Sequence, residues 1–382
     1  MLDILNLFSI SNGLKINAEK TKVMIFNKTG RHIRQRFSVG GVAIETTREY
    51  KYLGFKVTPS GEILSGLLDL KDRALKAFMK LKKKLGHLFR KHPITTLKLF
   101  DALVRPILLY ASDFWGVLKM PKNTPVETLF LSFCKQLPGV VQKQTVNTGV
   151  LLELGQFPVL LHAKTNALKN WNRIAKLHKS NIIVRQSYLS ALEKELSWPS
   201  QVKNTLSEIG MLDSFTGNRV DNICHLRILQ RLKDIFHQNS FAQINEPSSK
   251  LRTYKLLKLQ IGFEEYLKEI PNERERICLT KFRLSNHQLM IEKGRYLNLD
   301  KKQRLCPFCP DSVEDEKHFL IECKAYKENR EILFTDIKKK FYTFHLKNHT
   351  EKMIFLLSNK NMAKKASRFI NECMQLRDSL LV

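Results

Sequence analysis

Several catalytic signatures are missing from this 382-residue sequence. It contains no two adjacent aspartates, no His-Glu-x-x-His, no Gly-x-Ser-x-Gly and no Walker-type glycine loop. Their absence removes the usual sequence evidence for two-metal phosphoryl transfer, zinc proteolysis, acyl hydrolysis and nucleotide hydrolysis. No apolar run reaches the roughly 18 residues of a membrane span, and the opening residues lack the basic segment of a signal peptide. We therefore expect a protein that is neither secreted nor membrane-spanning.

Acidic residues are scarce relative to basic ones. Lysine and arginine number 65 against 36 aspartates and glutamates, which gives a formal net charge of +29. Such a charge favours polyanionic partners, and it predicts salt-dependent, sequence-independent binding of RNA and DNA through their phosphates. The alternatives are a solvated surface of the ribosomal type, which would still mean nucleic acid, and an anionic membrane face; we expect no membrane partner.

The seven cysteines do not read as a set of disulfides. Three of them combine with a histidine in a C-x2-C-x8-H-x4-C pattern formed by Cys306, Cys309, His318 and Cys323. Three thiolates and one imidazole complete a tetrahedral Zn²⁺ site with no open position, which predicts a structural zinc ion and not a catalytic one. The other four (Cys134, Cys224, Cys278 and Cys373) fall in apolar helical patterns and are interpreted as reduced core thiols. A reducing compartment, nuclear or cytoplasmic, is expected.

Residues around the cysteines suggest how this module folds. Ser312 is a candidate N-cap, with three acids following it in the first helical turn. We expect His318 and Cys323 to lie on one helix that continues through Tyr326 and Ile332. Ligands five residues apart share a helix face only where the helix bends or is irregular, so their geometry is left open.

Elsewhere the hydrophobic pattern changes from short strands to long helices. A helix is expected to end at Asn12-Gly13, a hairpin to turn at Gly40-Gly41, and residues 50–57 to form one strand. From residue 63 the period is helical, and one apolar stripe is predicted over Leu64, Leu67, Leu68, Ala74, Leu75, Phe78, Met79 and Leu85. A second helix is predicted from Thr95 to Tyr110, and Pro106 should kink or end it.

Several strings in fixed order carry a family resemblance. They are Gly13 to Lys22 (GLKINAEKTK), Tyr50 to Phe55 (YKYLGF), Leu103 to Tyr110 (LVRPILLY), Asn286-His287 with Gly294-Arg-Tyr296, Arg304-x-Cys306, and Glu316 to Leu320 (EKHFL). Together they resemble the C-terminal half of the reverse transcriptases of non-LTR (LINE-like) retrotransposons. The resemblance covers nearly the whole chain and is weakest in its middle third.

The resemblance implies an α+β fold that is mostly α, with a small antiparallel β remnant of a polymerase palm, a helical thumb and linker, and a small zinc-binding module. The implied divisions are a partial palm (1–62), a thumb-like domain (63–180), a helical linker (181–280), a CCHC zinc module (281–335) and C-terminal helices (336–382).

The resemblance also implies roles for particular residues. Lys20 corresponds to a lysine near the incoming nucleotide and is a candidate general acid, with Lys22 as the competing assignment; an ammonium there would stabilise phosphate charge. Residues 50–55 correspond to a hairpin that holds the primer. The candidate nucleic-acid contacts are Lys20, Lys22, Lys80, Lys82, Lys83, Lys84, Arg90, Lys91, Arg295, Lys301, Lys302 and Arg304.

Three hypotheses remain, and they differ in how they account for the absence of an Asp-Asp pair. In the family it binds two Mg²⁺ ions, so Mg²⁺ is expected only in an intact polymerase and this chain is not expected to polymerise alone. The first hypothesis is a nucleic-acid-binding fragment that grips template RNA and primer. The second is part of an active RNA-directed DNA polymerase whose Asp-Asp hairpin lies upstream of a misassigned start. The third is a zinc-dependent protein-interaction module.

Overall fold

A computed structural model describes residues 1–27, 29–31, 33, 35–121, 123–141, 143–177, 182–216 and 224–381. Helix accounts for 62% of the chain and strand for 7%. The expectation of a mostly helical α+β protein with small antiparallel sheets is therefore confirmed at this level.

The strands are short and lie near the two ends of the chain. Their bounds are β1 Lys22–Val23, β2 Phe37–Val39, β3 Val42–Thr46, β4 Tyr50–Tyr52, β5 Phe55–Val57, β6 Leu305–Cys306 and β7 Cys309–Val313. The α-helices are α1 Leu2–Ser11, α2 Leu64–Leu85, α3 Leu88–Lys91, α4 Pro93–Leu103, α5 Arg105–Leu108, α6 Ser112–Trp115, α7 Pro125–Gln136, α8 Asn147–Glu153, α9 Val159–Ala175, α10 Ile182–Leu192, α11 Trp198–Glu208, α12 Asp213–Thr216, α13 Cys224–Asn245, α14 Tyr254–Leu257, α15 Tyr266–Glu269, α16 Glu273–Arg283, α17 Met290–Tyr296, α18 Lys327–Lys338, α19 His349–Ser358 and α20 Ala363–Leu380.

The N-terminal sheet has the order β1-β3-β2. Strands β2 and β3 form the predicted antiparallel hairpin, in which Val39 pairs with Val42 across Gly40-Gly41. Both glycines have positive φ (56° and 80°), a backbone region that glycine enters without steric cost. Helix α1 ends at Ser11, and Gly13 follows with φ 66°, so its predicted end is confirmed as well.

The prediction of a single strand over residues 50–57 is wrong. Leu53 and Gly54 adopt φ values of 44° and 82°, which reverse the chain, and Tyr52 pairs with Phe55 in the β4–β5 hairpin. An alternating apolar pattern cannot distinguish one strand from two strands joined by a two-residue turn. Gly54 was the available signal.

The apolar stripe on α2 is only partly as predicted. Leu67, Ala74 and Phe78 are buried, together with Leu70 and Leu81. Leu64, Leu68, Leu75 and Met79 are instead exposed. The predicted stripe was wider than one helix face, and the buried side is the one that meets α4, α5 and α7.

Pro106 acts as predicted. Helix α4 ends at Leu103, and α5 begins at Arg105 with Pro106 in its first turn, where a missing N–H costs nothing. The two helices and α7 enclose a cluster of phenylalanines in which the rings of Phe100 and Phe133 stack with centroids 3.8 Å apart.

Two clusters of buried apolar residues hold the helices together. The larger extends from Phe55 to Cys373 and includes the residues around the cysteine motif. The smaller joins α9, α11 and α13, with Trp171 and Val202 among its members. The expected boundary at 180/181 falls within residues 178–181, outside the described part of the chain, and the five expected divisions stay predictions.

The described cysteines form no disulfide. Cys134 and Cys373 are fully buried, as expected, and Cys278 is partly buried, whereas the side chain of Cys224 lies outside the described atoms. Within the described ranges, no helix is both long and apolar enough to cross a membrane.

Candidate metal centre and nucleic-acid interface

The C-x2-C part of the motif is a tight hairpin. Cys306 ends β6 and pairs with Cys309 at the start of β7, so the turn consists of Pro307 and Phe308. The hairpin aims both thiols at Cys323: the sulfur of Cys323 lies 3.8 Å from that of Cys306 and 3.9 Å from that of Cys309. The four predicted ligands are thus brought together, and their ligand atoms all lie within 4.8 Å of one another.

A π-helical turn solves the spacing of the other two ligands. Residues His318–Glu322 form a π-helix, and the backbone N–H of Cys323 donates to the carbonyl of His318 at 2.7 Å. An i→i+5 hydrogen bond widens the turn, so that residues five apart come onto one side, as the predicted irregularity required. A short 3₁₀ turn over Lys324–Tyr326 then separates this segment from α18.

Two local expectations about this helix are wrong. Ser312 lies in β7 and does not cap a helix; Asp315 takes that place, since its Oδ1 accepts the backbone N–H of His318 at 2.8 Å. The helix through Ile332 is not continuous but is divided at Cys323. Ser312 lies in the β6–β7 hairpin, where Val313 still pairs with Leu305, so the helix can begin only after this strand, with Asp315 as its cap.

The geometry fits a tetrahedral metal. Thiolates about 2.3 Å from a central Zn²⁺ lie about 3.8 Å apart, close to the two sulfur separations found. Neither ring nitrogen of His318 has a hydrogen-bond partner among the described residues, although the ring is buried. Glu322 lies 3.7 Å from its Nδ1, in the position of an outer carboxylate that orients a metal-binding imidazole. This buried cluster can bind a metal such as zinc.

The protonation of the cluster suits a cation. The hydrogen bond from the Cys323 thiol lowers the pKa of Cys306 despite its burial, and the same bond raises the pKa of Cys323. Burial opposes protonation of His318, but the Cys306 and Cys309 sulfurs raise its pKa. Without a metal, the Cys323 thiol and the His318 imidazole therefore tend to keep their protons beside the Cys306 sulfur. A bound Zn²⁺ would displace these protons.

Behind the cluster lies a buried network that the sequence analysis missed. Glu316, two residues before His318, accepts two bonds from Arg252 at 2.7 and 2.9 Å and one from His287 Nε2 at 2.9 Å. Burial opposes ionisation of Glu316, but Arg252 and His287 hold its pKa well below the usual range. The network links the helical turn that carries Glu316 and His318 to Arg252 and His287, which both precede α17.

The neighbouring strings interlock in the same way. Arg304 donates to the carbonyls of Leu299 and Ile291 at 2.8 Å each. A Cβ on Gly294 would lie 2.5 Å from Arg304 Cγ, so glycine leaves the space that this arginine fills. Glu314 accepts two bonds from Arg377 at 2.7 and 2.8 Å, which fastens α20 to the hairpin.

A second buried ion pair lies in the larger core. Arg283 donates to Glu153 at 2.7 Å and to Glu264 at 2.8 Å, and its exposure is 1%. Tyr254 and Tyr266 also donate to Glu153, at 2.8 and 2.6 Å. Burial opposes the charge on Glu153, but Arg283 and these bonds lower its pKa.

The predicted basic contacts divide into two groups. Lys80, Lys83, Lys84 and Lys91 are exposed on and after α2, and Lys301 and Lys302 are exposed before β6. None of these six side chains makes a hydrogen bond or ion pair that the structure describes.

The remaining predicted contacts are engaged within the protein. The Lys82 ammonium donates to Gln136 at 2.7 Å, and the Arg90 guanidinium to the Gln136 carbonyl at 3.0 Å and to Glu273 at 3.2 Å. Arg295 lies 3.5 Å from Glu292, and Arg304 is bonded as described above. Their predicted role in phosphate binding stays a prediction, and these four now have an internal role as well.

Lys20 and Lys22 lie near the N-terminal sheet. Lys20 is exposed, and its backbone N–H bonds to the side chain of Asn17 at 3.0 Å. Lys22 in β1 forms an ion pair of 2.5 Å with Glu45 in the parallel partner strand β3. The structure therefore leaves the ammonium of Lys20 available and engages that of Lys22.

Two strings that lie far apart in the sequence meet at the β4–β5 turn. The hydroxyl of Tyr110 donates to the carbonyl of Leu53, and Arg73 donates to the carbonyl of Gly54 at 2.9 Å. The hairpin is thereby attached to α2 and to the segment after α5.

No protein-family model, curated protein or solved structure matches this chain.

Proposed function

We propose that the chain is a nucleic-acid-binding part of a non-LTR retrotransposon reverse transcriptase, which grips template RNA and primer through their phosphates. It lacks the paired aspartates for two Mg²⁺ ions, so alone it does not polymerise DNA. A structural Zn²⁺ on Cys306, Cys309, His318 and Cys323 holds its C-terminal module together. The observation that carries the proposal is the row of solvent-exposed lysines on α2, in a chain of net charge +29.

The position of these lysines supports phosphate contact over a purely solvating role. Lys76, Lys80 and Lys83 follow one another at helical spacing, and Lys84 lies beside them. No acidic residue occurs between Lys76 and Lys91, so the segment attracts anions along its whole length. The opposite face of α2 is fixed in the core by Leu70, Ala74 and Phe78.

The attachment of the β4–β5 hairpin is a second support. Tyr110 and Arg73 hold its turn through backbone carbonyls, so the outward side chains Tyr50 and Tyr52 are carried on a fixed loop beside α2. A fixed hairpin next to a basic helix is a suitable arrangement for holding a primer strand.

Binding of an RNA–DNA hybrid duplex, followed by fluorescence anisotropy over a range of salt concentrations, tests the proposal. We expect the logarithm of the affinity to fall linearly with the logarithm of salt concentration. Changing Lys80, Lys83 and Lys84 together to glutamine should reduce the magnitude of the slope by up to about 3, since each phosphate contact adds about 0.9.

The matched control changes three exposed lysines elsewhere, Lys324, Lys338 and Lys340, to glutamine. It removes the same charge from the region of α18 and should alter the slope less. A wild-type plot with no slope, or equal effects of the two triple variants, would refute phosphate binding by α2.

One observation favours the protein-interaction alternative. Tyr296 and Leu297 at the end of α17 are 61% and 56% exposed, and Leu305 in the contacting strand β6 is 41% exposed. Apolar exposure beside a metal module is typical of a protein-binding surface. Changing Tyr296 and Leu305 to serine separates the two functions, because duplex affinity should survive if this surface binds protein.

A further inference from the structure

One buried arginine contacts a metal ligand and has no acidic partner. Arg330 in α18 is only 8% exposed and shares the buried face of that helix with Leu333 and Ile337. Its Nε donates to the carbonyl of Leu320 at 3.1 Å, and its Nη2 donates to the carbonyl of Cys323. Within the described residues no carboxylate forms an ion pair with this guanidinium, so no acid neutralises its charge.

Two other buried arginines show the usual arrangement. Arg377 bonds to Glu314, and Arg283 bonds to Glu153. A buried charge without a partner is unfavourable, because the water that it has lost is not replaced by an opposite charge. The burial of Arg330 without an acid therefore indicates another source of negative charge nearby.

The metal centre would supply this charge. Zn²⁺ bound by three thiolates and the neutral imidazole of His318 carries one net negative charge. The carbonyl that Arg330 Nη2 binds belongs to Cys323, so the cation lies one hydrogen bond and a few covalent bonds away from a ligand sulfur. Burial lowers the pKa of Arg330, but the nearby sulfur of Cys323 opposes this effect.

The other acid at the cluster has cations of its own. Glu322, which lies beside His318, is 3.5 Å from the ammonium of Lys317 and 3.0 Å from Nδ1 of His349. The negative charge of Glu322 is therefore met from the solvent side. Arg330 meets the cluster from the buried side, through α18.

We propose that Arg330 is a positioning residue for the metal, whose guanidinium neutralises a three-thiolate centre and holds the end of the π-turn through the carbonyls of Leu320 and Cys323. The inference rests on the structural Zn²⁺ of the proposed function and adds to it the residue that retains the ion. Groups that surround a metal site in this way change its affinity by about 10–100-fold. The expected contribution is electrostatic, which distinguishes it from simple capping of carbonyls.

The Zn²⁺ affinity of the full chain, measured by competition with a chromophoric chelator, tests this role. Arg330→Gln keeps a hydrogen-bond donor but removes the charge, and it should weaken Zn²⁺ binding by about 10–100-fold. Arg330→Lys keeps the charge and should recover most of the loss. An unchanged affinity in Arg330→Gln, or equal losses in both variants, would overturn the proposal, since a residue that only caps carbonyls needs no charge.

A second measurement changes the charge of the centre instead. Cys309→His keeps four ligands but makes the Zn²⁺ centre neutral, so the cation is no longer needed. In this background, Arg330→Gln should weaken Zn²⁺ binding by less than about tenfold. The same loss in both backgrounds would refute charge compensation. If Arg330→Gln does not fold alone, it should fold with Zn²⁺ in the Cys309→His background, and failure to fold in both would also refute it.

Arg276→Gln is the matched control. Arg276 is 4% exposed, donates to the carbonyls of Ile270 and Arg90, and forms no ion pair with a described carboxylate. It contacts no metal ligand among the described residues, so its loss should leave Zn²⁺ affinity unchanged. A loss equal to that of Arg330→Gln would mean that general destabilisation is the cause. A wild-type chain that binds no Zn²⁺ would overturn the structural metal of the proposed function, whereas normal Zn²⁺ binding by Arg330→Gln overturns this inference alone.

Discussion

The metal module and the α2 segment use basic residues in opposite ways. Around the module, arginines are buried or half-buried and each satisfies named acceptors: Arg252 bonds to Glu316, Arg377 to Glu314, and Arg304 to two carbonyls. Along α2, the side chains of Lys80, Lys83 and Lys84 extend into solvent and make no hydrogen bond or ion pair within the described structure. The same net charge thus contains cations that hold the fold together and cations that are available to a partner.

The chemistry of the two side chains explains the difference. A guanidinium is planar, offers five donors in a fixed arrangement and is weakly hydrated, so it tolerates burial between carboxylates and carbonyls. An ammonium is strongly hydrated and keeps its water more readily at the surface. Net charge by itself therefore overstates the surface that is available for polyanions, and the residue type indicates which cations are available.

The largest effect should come from the metal ligands. Cys323→Ser removes the ligand that faces both other thiols, and we expect release of the metal and loss of the module's fold, at a cost on the order of several kcal/mol. Metal analysis and thermal unfolding measure both. Ser312→Ala is the control, since Ser312 neither binds metal nor caps the helix. A wild type that is fully folded after chelation would contradict a structural metal.

Loss of a buried arginine should follow. Arg283→Met leaves Glu153 ionised in the core without its partner, and we expect a cost of about 3–5 kcal/mol in the free energy of unfolding. Adding Glu153→Gln to Arg283→Met should restore part of it, because no charge is then stranded. Denaturant titration measures the effect, and equal stability of the single and double variants would mean that charge burial is not its cause.

The free energy of unfolding should depend on pH through His162 in α9, a residue outside the metal cluster. Burial and the nearby Arg105 lower the pKa of His162 to about 4, so the folded state keeps this imidazole neutral while the unfolded state binds a proton below pH 6.5. Its stabilisation is therefore present above pH 6.5 and is lost as pH falls from 6.5 towards 4. Between pH 7 and pH 5 the wild type should lose about 2 kcal/mol more than His162→Gln.

The difference between these two chains isolates His162, because all other titrating groups, including the metal ligands, occur in both. Chemical denaturation at the two pH values measures it. Parallel losses in wild type and variant would mean that the imidazole is not kept neutral by the fold.

The smallest effect on stability belongs to the α2 lysines. The side chains of Lys80, Lys83 and Lys84 make no hydrogen bond or ion pair with a described residue, so changing all three to glutamine should shift the free energy of unfolding by no more than about 0.5 kcal/mol per residue. Its effect should fall on polyanion affinity instead. A large loss of stability would place these lysines among the structural cations and remove the contrast with the arginines.

Local patterns predicted the parts that depend on short-range chemistry. Glycine pairs fixed the β2–β3 turn, Pro106 fixed a helix boundary, and the spacing of Cys306, Cys309, His318 and Cys323 identified the metal cluster. The exposed part of the α2 stripe was missed because the extent of a buried helix face depends on which elements cover it. The Leu53-Gly54 turn was missed because an alternating apolar pattern fits one strand as well as two.

What the sequence determined by itself was a basic, mostly helical chain with one group of residues competent to bind metal, since charge, periodicity and ligand spacing are local properties. The tertiary structure decided which cations stay at the surface and how a π-turn aligns His318 with Cys323. These depend on contacts between residues that are distant along the chain: Glu316 with Arg252, Arg283 with Glu153, and α6 with α9. No sequence spacing encodes such contacts, because the packing of whole elements sets them.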